Sequence, residues 1–368
     1  MRSARQPGET AGALRSRYRW PALAALAGCG VGAGCSAALT IDHRWEPEVA
    51  LAGLAMALGG IALLWVLSRT IAAPLSYVGC FLLALWLLTP SEQIVFASDR
   101  DTPDRTQIYA LDVGGGDPDR LSATPGQDET PAVSPDGRRI AFTRRLNGQE
   151  RLFIGGRHGE DAAAIPRGEG NDRRPAWSPD GRWLAFASDR GGNWDIYIMA
   201  PDGSRLRAIG AQPARDDWPS WSPDGRALAF ESDRGGTSDI WLIASDGTGL
   251  RPFRDDGTTR RQPAWSPDGR LAFVVGDGAE ALCVAAIDAS ATRCLADRGY
   301  YAAPAWSPDG RRLAFAARGD VGWDILVVPA AGGPAQNVSR YRGLNISPSW
   351  ASNGPIPALT RWWVRLVG

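Results

Sequence analysis

Residues 175–210 read PAWSPDGRWLAFASDRGGNWDIYIMAPDGSRLRAIG, and this stretch decides the fold because it recurs. It returns as PSWSPDGRALAFESDRGGTSDIWLIASDG from Pro219, as PAWSPDGRLAFVV from Pro263 and as PAWSPDGRRLAFAARGDVGWDILVV from Pro304. A degenerate copy, PAVSPDGRRIAFTRR, starts at Pro131, and a fragment, PSWASNG, at Pro348. The marker position is occupied by Val133, Trp177, Trp221, Trp265, Trp306 and Trp350, spaced by 44, 44, 44, 41 and 44 residues. A fixed period near 44 is one supersecondary unit repeated.

Each unit reads as four short strands, a to d. In the copy quoted first these are Pro175–Ser178, Trp183–Ser188, Asp195–Ala200 and Arg205–Ile209, all apolar and β-prone. Ser178-Pro179-Asp180-Gly181 places Pro where φ is already near −65° and Gly where φ turns positive, which is a tight a–b hairpin. A sheet with apolar residues on both faces cannot bury them alone, so copies must stack, and a ring leaves no exposed end. The recurring aromatic pair, such as Trp177 with Phe186, is filler between blades. Strand a occurs six times, and Gln93–Ser98, Gln107–Val113 and Arg120–Ala123 supply strands b, c and d ahead of the first. The two ends therefore complete one blade together. The expected architecture is all-β, a six-bladed propeller of four-stranded blades over residues 91–360.

The repeat PAWSPDGRxLAFxSDRxxxxDIYxxxxDG, carried by about 270 of the 368 residues, resembles the WD40-like repeat (PD40) of the TolB propeller family. The resemblance implies a scaffold for protein contacts outside the cytoplasm. Similar propellers also precede the catalytic domain of prolyl-oligopeptidase-type hydrolases, so the fold alone assigns no function.

Ahead of the propeller lies a polar tail, residues 1–19, with five arginines, then three uncharged apolar runs at about 21–41, 49–68 and 70–89 within a 20–89 anchor. Each run is long enough to cross a membrane as a helix. The acidic loop 42–48 and the basic tail orient the first helix with the tail in the cytoplasm, which places the propeller outside it. The expected location is thus a bacterial inner or cell membrane, multi-pass, with the propeller extracytoplasmic. An alternative is a lipoprotein, because Leu26-Ala27-Gly28-Cys29 resembles a lipobox that would be acylated at Cys29. The final residues 361–368 hold Trp362, Trp363, Arg361 and Arg365, a tail that packs on the propeller flank or touches the bilayer.

All 40 basic residues are arginine, balanced by 40 acids, which argues against a nucleic-acid binder. The only two histidines are His43 and His158, with no metal-ligand spacing, and no G-x-S-x-G elbow or phosphate loop occurs. The chain therefore reads as a non-enzyme with no cofactor. Cys283 and Cys294 sit symmetrically about a c–d hairpin, where they either form a cross-strand disulfide or pack as free thiols.

Binding is the function left. The d–a loops are polar, and Trp218, Tyr300 and Tyr301 stand among charges that include Arg173, Arg174, Arg260 and Arg261. Aromatics beside arginines are the composition of a protein-binding hot spot, so this face is the expected contact with another envelope or extracellular protein. Five residues before the markers stand Asp128, Asp172, Asp216, Arg260, Tyr301 and Asn345. The three aspartates, if convergent, suit a cation such as calcium, which makes a small-ligand or cation sensor the alternative; otherwise each bonds its own loop.

Overall fold

A computed structural model describes residues 92–352, other than 123, 124, 158, 160, 166–169, 277, 289, 290 and 342. The expectations placed on the three apolar runs, Cys29, both histidines and the tail 361–368 lie outside the described residues.

Among the described residues the chain is strand and turn, with no helix. In chain order, β1 (Glu92–Ser98), β2 (Gln107–Asp112) and β3 (Asp119–Arg120) lead into the first whole blade, β4 (Gln127–Val133), β5 (Arg139–Leu146), β6 (Gln149–Gly156) and β7 (Ala163–Ala164). The second blade is β8 (Asp172–Trp177), β9 (Leu184–Ser188), β10 (Asp195–Met199) and β11 (Arg207–Ile209). The third is β12 (Asp216–Trp221), β13 (Ala227–Ser232), β14 (Asp239–Ala244) and β15 (Arg251–Pro252). The fourth is β16 (Arg260–Trp265), β17 (Arg270–Val275), β18 (Glu280–Ala286) and β19 (Thr292–Gly299). The fifth is β20 (Tyr301–Trp306), β21 (Arg312–Gly319), β22 (Gly322–Pro329) and β23 (Gln336–Asn337), and β24 (Asn345–Ser352) follows. Six antiparallel four-stranded sheets result, and the sixth has the order β24-β1-β2-β3. The strand last in sequence thus completes the blade begun first, with Ile94 opposite Trp350 and Gln93 opposite Ala351. The six-bladed ring with its shared closing blade is as the repeat count implied.

The hairpin between strands a and b is built as its residues dictate. Ser178 Oγ donates to Asp180 Oδ1 at 2.6 Å, the Arg182 amide donates to the same oxygen at 3.0 Å, and Gly181 has φ +69°. The b strands are sandwiched between neighbouring blades, and β9 is buried along its whole length.

Blades are joined by the marker tryptophans. The indole Nε1 of Trp177 donates to the Ala132 carbonyl of the preceding blade at 3.1 Å, and Trp221, Trp306 and Trp350 do the same to Ala176, Ala264 and Ala305. At Trp265 the preceding blade presents Ser220, whose hydroxyl accepts from the Trp265 amide at 3.0 Å, and the Trp265 indole nitrogen is left without a partner. Arg312 pairs with Glu92 and lies 5.0 Å from the Trp350 ring, a second tie across the ring closure.

Strand a starts three residues earlier than its sequence suggests: β8 opens at Asp172, not at Pro175. Pro lacks an amide donor, which marks it as a strand start. Here the strand continues through it because the pairing shifts register at a β-bulge between Arg173 and Ala176. Residues read as d–a loop, among them Arg173, Arg174 and Trp218, therefore belong to the innermost strands.

Candidate functional site: the channel ring

The bulge repeats in every strand a, and so does its cause. The residue before each Pro is left-handed: Thr130 (φ 48°), Arg174 (55°), Trp218 (51°), Gln262 (54°), Ala303 (50°) and Ser347 (53°). None is glycine, and a left-handed conformation costs a side-chain-bearing residue about 1–2 kcal/mol. Hydrogen bonds hold several of these residues. The Arg174 amide donates to Thr143 Oγ1 at 3.0 Å, the Gln262 amide to Glu231 Oε2 at 3.2 Å, and the Ala303 amide to Gln262 Oε1 at 2.6 Å. Each of these acceptors belongs to the preceding blade. Together the six residues and the prolines that follow them line one cavity of about 90 Å³ where the inner strands meet.

Two side chains of this ring carry recognition chemistry. The Arg174 guanidinium lies 4.2 Å from the centroid of the Trp218 ring. Both are fixed through Asp217, which is buried and accepts from Arg174 and, at 2.5 Å, from Arg173; its Oδ1 also accepts from the Trp218 amide at 3.0 Å. Arg215 stands 3.6 Å from the same carboxylate, and Arg173 lies over Trp194 at 3.5 Å. One buried carboxylate thus organises three arginines beside two indoles. Burial pushes the Glu231 carboxyl up from its ordinary value, against the hydrogen bond from Ser238. Burial also pushes up Glu129, against the opposing pull of Arg145.

The remaining residues singled out by sequence separate from this group. Arg260 is not displayed: it is 3% exposed and donates to Asp239 and Asp256, which makes it part of the packing between two blades. Arg261 pairs with Glu280. Tyr301 leans on its own blade, its ring edge-on to Phe315 at 5.7 Å and its hydroxyl donating to the Asp297 carbonyl at 3.1 Å. Tyr300 is 51% exposed, with Arg318 5.7 Å from its ring. Neither tyrosine lines the cavity.

The three aspartates do not converge. Asp128 receives two hydrogen bonds from Arg144, at 2.6 and 3.0 Å, while Asp172 pairs with Arg190 and Asp216 with Arg234. Each arginine comes from the same blade and lies against its aromatic pair, as Arg190 does against Phe186 and Tyr197. Among the described residues no group of three His, Cys, Asp or Glu side chains could hold a metal ion. Sequence alone did not reveal these pairs, although the arginine of the repeated Ser-Asp-Arg stands 18 residues after its aspartate in two copies. In the first blade, which lacks that triplet, Arg144 supplies the guanidinium. Cys283 and Cys294 face each other in register on β18 and β19, joined as a cross-strand disulfide.

Residues 130–299 match the family model described as the TolB beta propeller domain, in agreement with the repeat's resemblance. Among solved structures the chain is similar to TolB from Acinetobacter baumannii, with 21% identity and a TM-score of 0.63, covering 71% of this chain and 66% of that one. A putative TolB from Agrobacterium tumefaciens matches at 18% identity and a TM-score of 0.55, over 73% of this chain and 100% of that one. A chain of a nidogen/laminin complex matches at 13% identity and a TM-score of 0.59, over 72% and 99% respectively. At these identities the likeness concerns the fold. No curated protein matches the sequence.

Proposed function

We propose that this chain is a non-catalytic protein-binding module, a TolB-like propeller held outside the cytoplasm by the anchor read from residues 20–89, and that its partner engages the channel ring at Trp218 and Arg174. The observation that carries this reading is the stacked pair itself. An indole and a guanidinium lie in contact on adjacent inner strands, locked by the buried Asp217 and bordering a cavity. Such a pair presents large area with little rotameric freedom left to lose on binding, which is how aromatic and arginine anchors dominate interfaces. Both oxygens of Glu231 accept hydrogen bonds, from Ser238 and from the Gln262 amide. Another structure with the same fold was solved in a nidogen/laminin complex, which supports the fold's suitability for protein contacts.

The test is read on the assembly. The full chain in its native membrane is run by native electrophoresis as wild type, as Trp218→Ala and as Asp202→Ala, the last at the exposed c–d turn on the opposite side. A discrete complex retained by Asp202→Ala and lost by Trp218→Ala is expected. A complex that survives Trp218→Ala, and likewise Arg174→Ala run beside it, would place the partner elsewhere.

A further inference from the structure

Five of the six blade interfaces contain a marker tryptophan, and the sixth, between the closing blade and the first, has Val133 in its place. A cavity of about 100 Å³ lies at that interface, lined by Val95, Ala110, Leu121, Val133, Ile140 and Ala351. These positions correspond by register to the surroundings of an indole elsewhere. Val95 stands opposite Ala110 on β1 and β2 as Ala141 stands opposite Ile154 on β5 and β6, and that second pair packs in the cluster containing Trp177. The cavity is therefore the space of a missing indole.

Its polar wall is also that of an indole site. In three other interfaces an arginine lies over the marker ring: Arg139 over Trp177 at 4.6 Å, Arg270 over Trp306 at 4.7 Å and Arg312 over Trp350 at 5.0 Å. Here Gln93 holds the register position of Arg139, and the guanidinium comes from Arg157, which donates to Gln93 Oε1 at 3.0 Å and lines the cavity. Burial pulls the Arg157 pKa down, and Asp112 opposes that shift. A planar cation beside an apolar slot is a seat for an aromatic ring.

We propose that this seat takes an indole from the chain's own C-terminal segment, the Trp362-Trp363 pair. Two observations favour this occupant over a separate ligand. Ala351 lines the cavity, and β24, the last described strand, ends at Ser352 next to it. Trp362 is ten residues further on, within reach at roughly 33 Å of extended chain. The pair is flanked by Arg361 and Arg365, and Asp119 lines the gap, an acidic partner for one of them beside Arg157. Docking there would add a second closure to the ring, after the β24–β1 pairing. It does not depend on a partner at Trp218.

The full chain is studied by calorimetry in detergent. Replacing both tail tryptophans by alanine is expected to lower the melting temperature by about 2–4 °C. The same double change in a Val133→Trp background, where the gap is filled, is expected to do nothing. Free indole at millimolar concentration should restore the tail variant and leave wild type unchanged. A photo-crosslinker in place of Trp362 or Trp363 should form adducts with residues 93–95, 119–121 or 133, and this reading stands even if Val133→Trp fails to fold. The proposal is overturned if the tail change leaves the melting temperature unmoved or lowers it equally in both backgrounds. It is also overturned if indole stabilises wild type as much as the variant, or if adducts map to another surface.

Discussion

The Trp350 indole nitrogen donates to the Ala305 carbonyl at 2.8 Å, from the last strand of the ring to the inner strand of the neighbouring blade. The same bond recurs at Trp177, Trp221 and Trp306 and is missing at Trp265. The contrast gives an internal control. Trp350→Phe and Trp265→Phe both keep an aromatic ring, but only the first removes a hydrogen bond and strands a carbonyl. Trp350→Phe is expected to cost about 1 kcal/mol more than Trp265→Phe in urea unfolding. Equal losses would show that the bond adds nothing to ring closure.

Asp128→Ala leaves Arg144, only 8% exposed at its side chain, buried without its carboxylate. Removing one member of a buried pair costs about 3–5 kcal/mol, and a comparable loss is expected for Asp216→Ala, which leaves Arg234 in the same position. With their aspartates engaged by arginine, these stations are not free for a cation. Millimolar calcium is expected to leave the melting temperature of the full chain unchanged, and a rise that depends on Asp128, Asp172 and Asp216 would contradict that.

Asp256 is held at about 2, below its ordinary 3.8, first by its hydrogen bond from Arg260. A carboxylate whose folded pKa is depressed stabilises the fold above its unfolded pKa, and that contribution is lost as pH falls through the folded value. The melting-temperature gap between wild type and Asp256→Asn should therefore be widest above pH 4 and close between about pH 4 and pH 2. A gap that is constant across this range would mean that the pair with Arg260 is not responsible.

The disulfide links residues 11 apart across the outer hairpin of the fourth blade. Closing so short a loop in the unfolded chain is worth about 2–3 kcal/mol. Reductant is expected to lower the stability of wild type by that amount and to leave a Cys283→Ala/Cys294→Ala variant untouched.

The blade count, the shared closing blade, the Ser-Pro-Asp-Gly hairpins and the facing cysteines were all legible in the sequence, because each rests on local turn chemistry or on the period. The left-handed residues before proline were not, since Thr130, Arg174 and Trp218 share no side-chain type that marks that backbone. For the same reason the sequence places the start of strand a too late and Trp218 in a loop. The clamp on Asp217 does have a signal in the sequence. Arg173 and Asp217 are 44 residues apart, one full repeat, so they stand at equal height on neighbouring blades. Arg260 has the sequence surroundings of an exposed loop charge, and only the fold brings Asp239 from the preceding blade to meet it.

The proposed function stands or falls on a protein partner at Trp218. The most direct measurement places a photo-crosslinking residue at position 218 of the full chain in its native membrane, with position 202 as the control. A discrete adduct from 218 alone is predicted. Adducts from neither position, or from 202 only, would contradict the account.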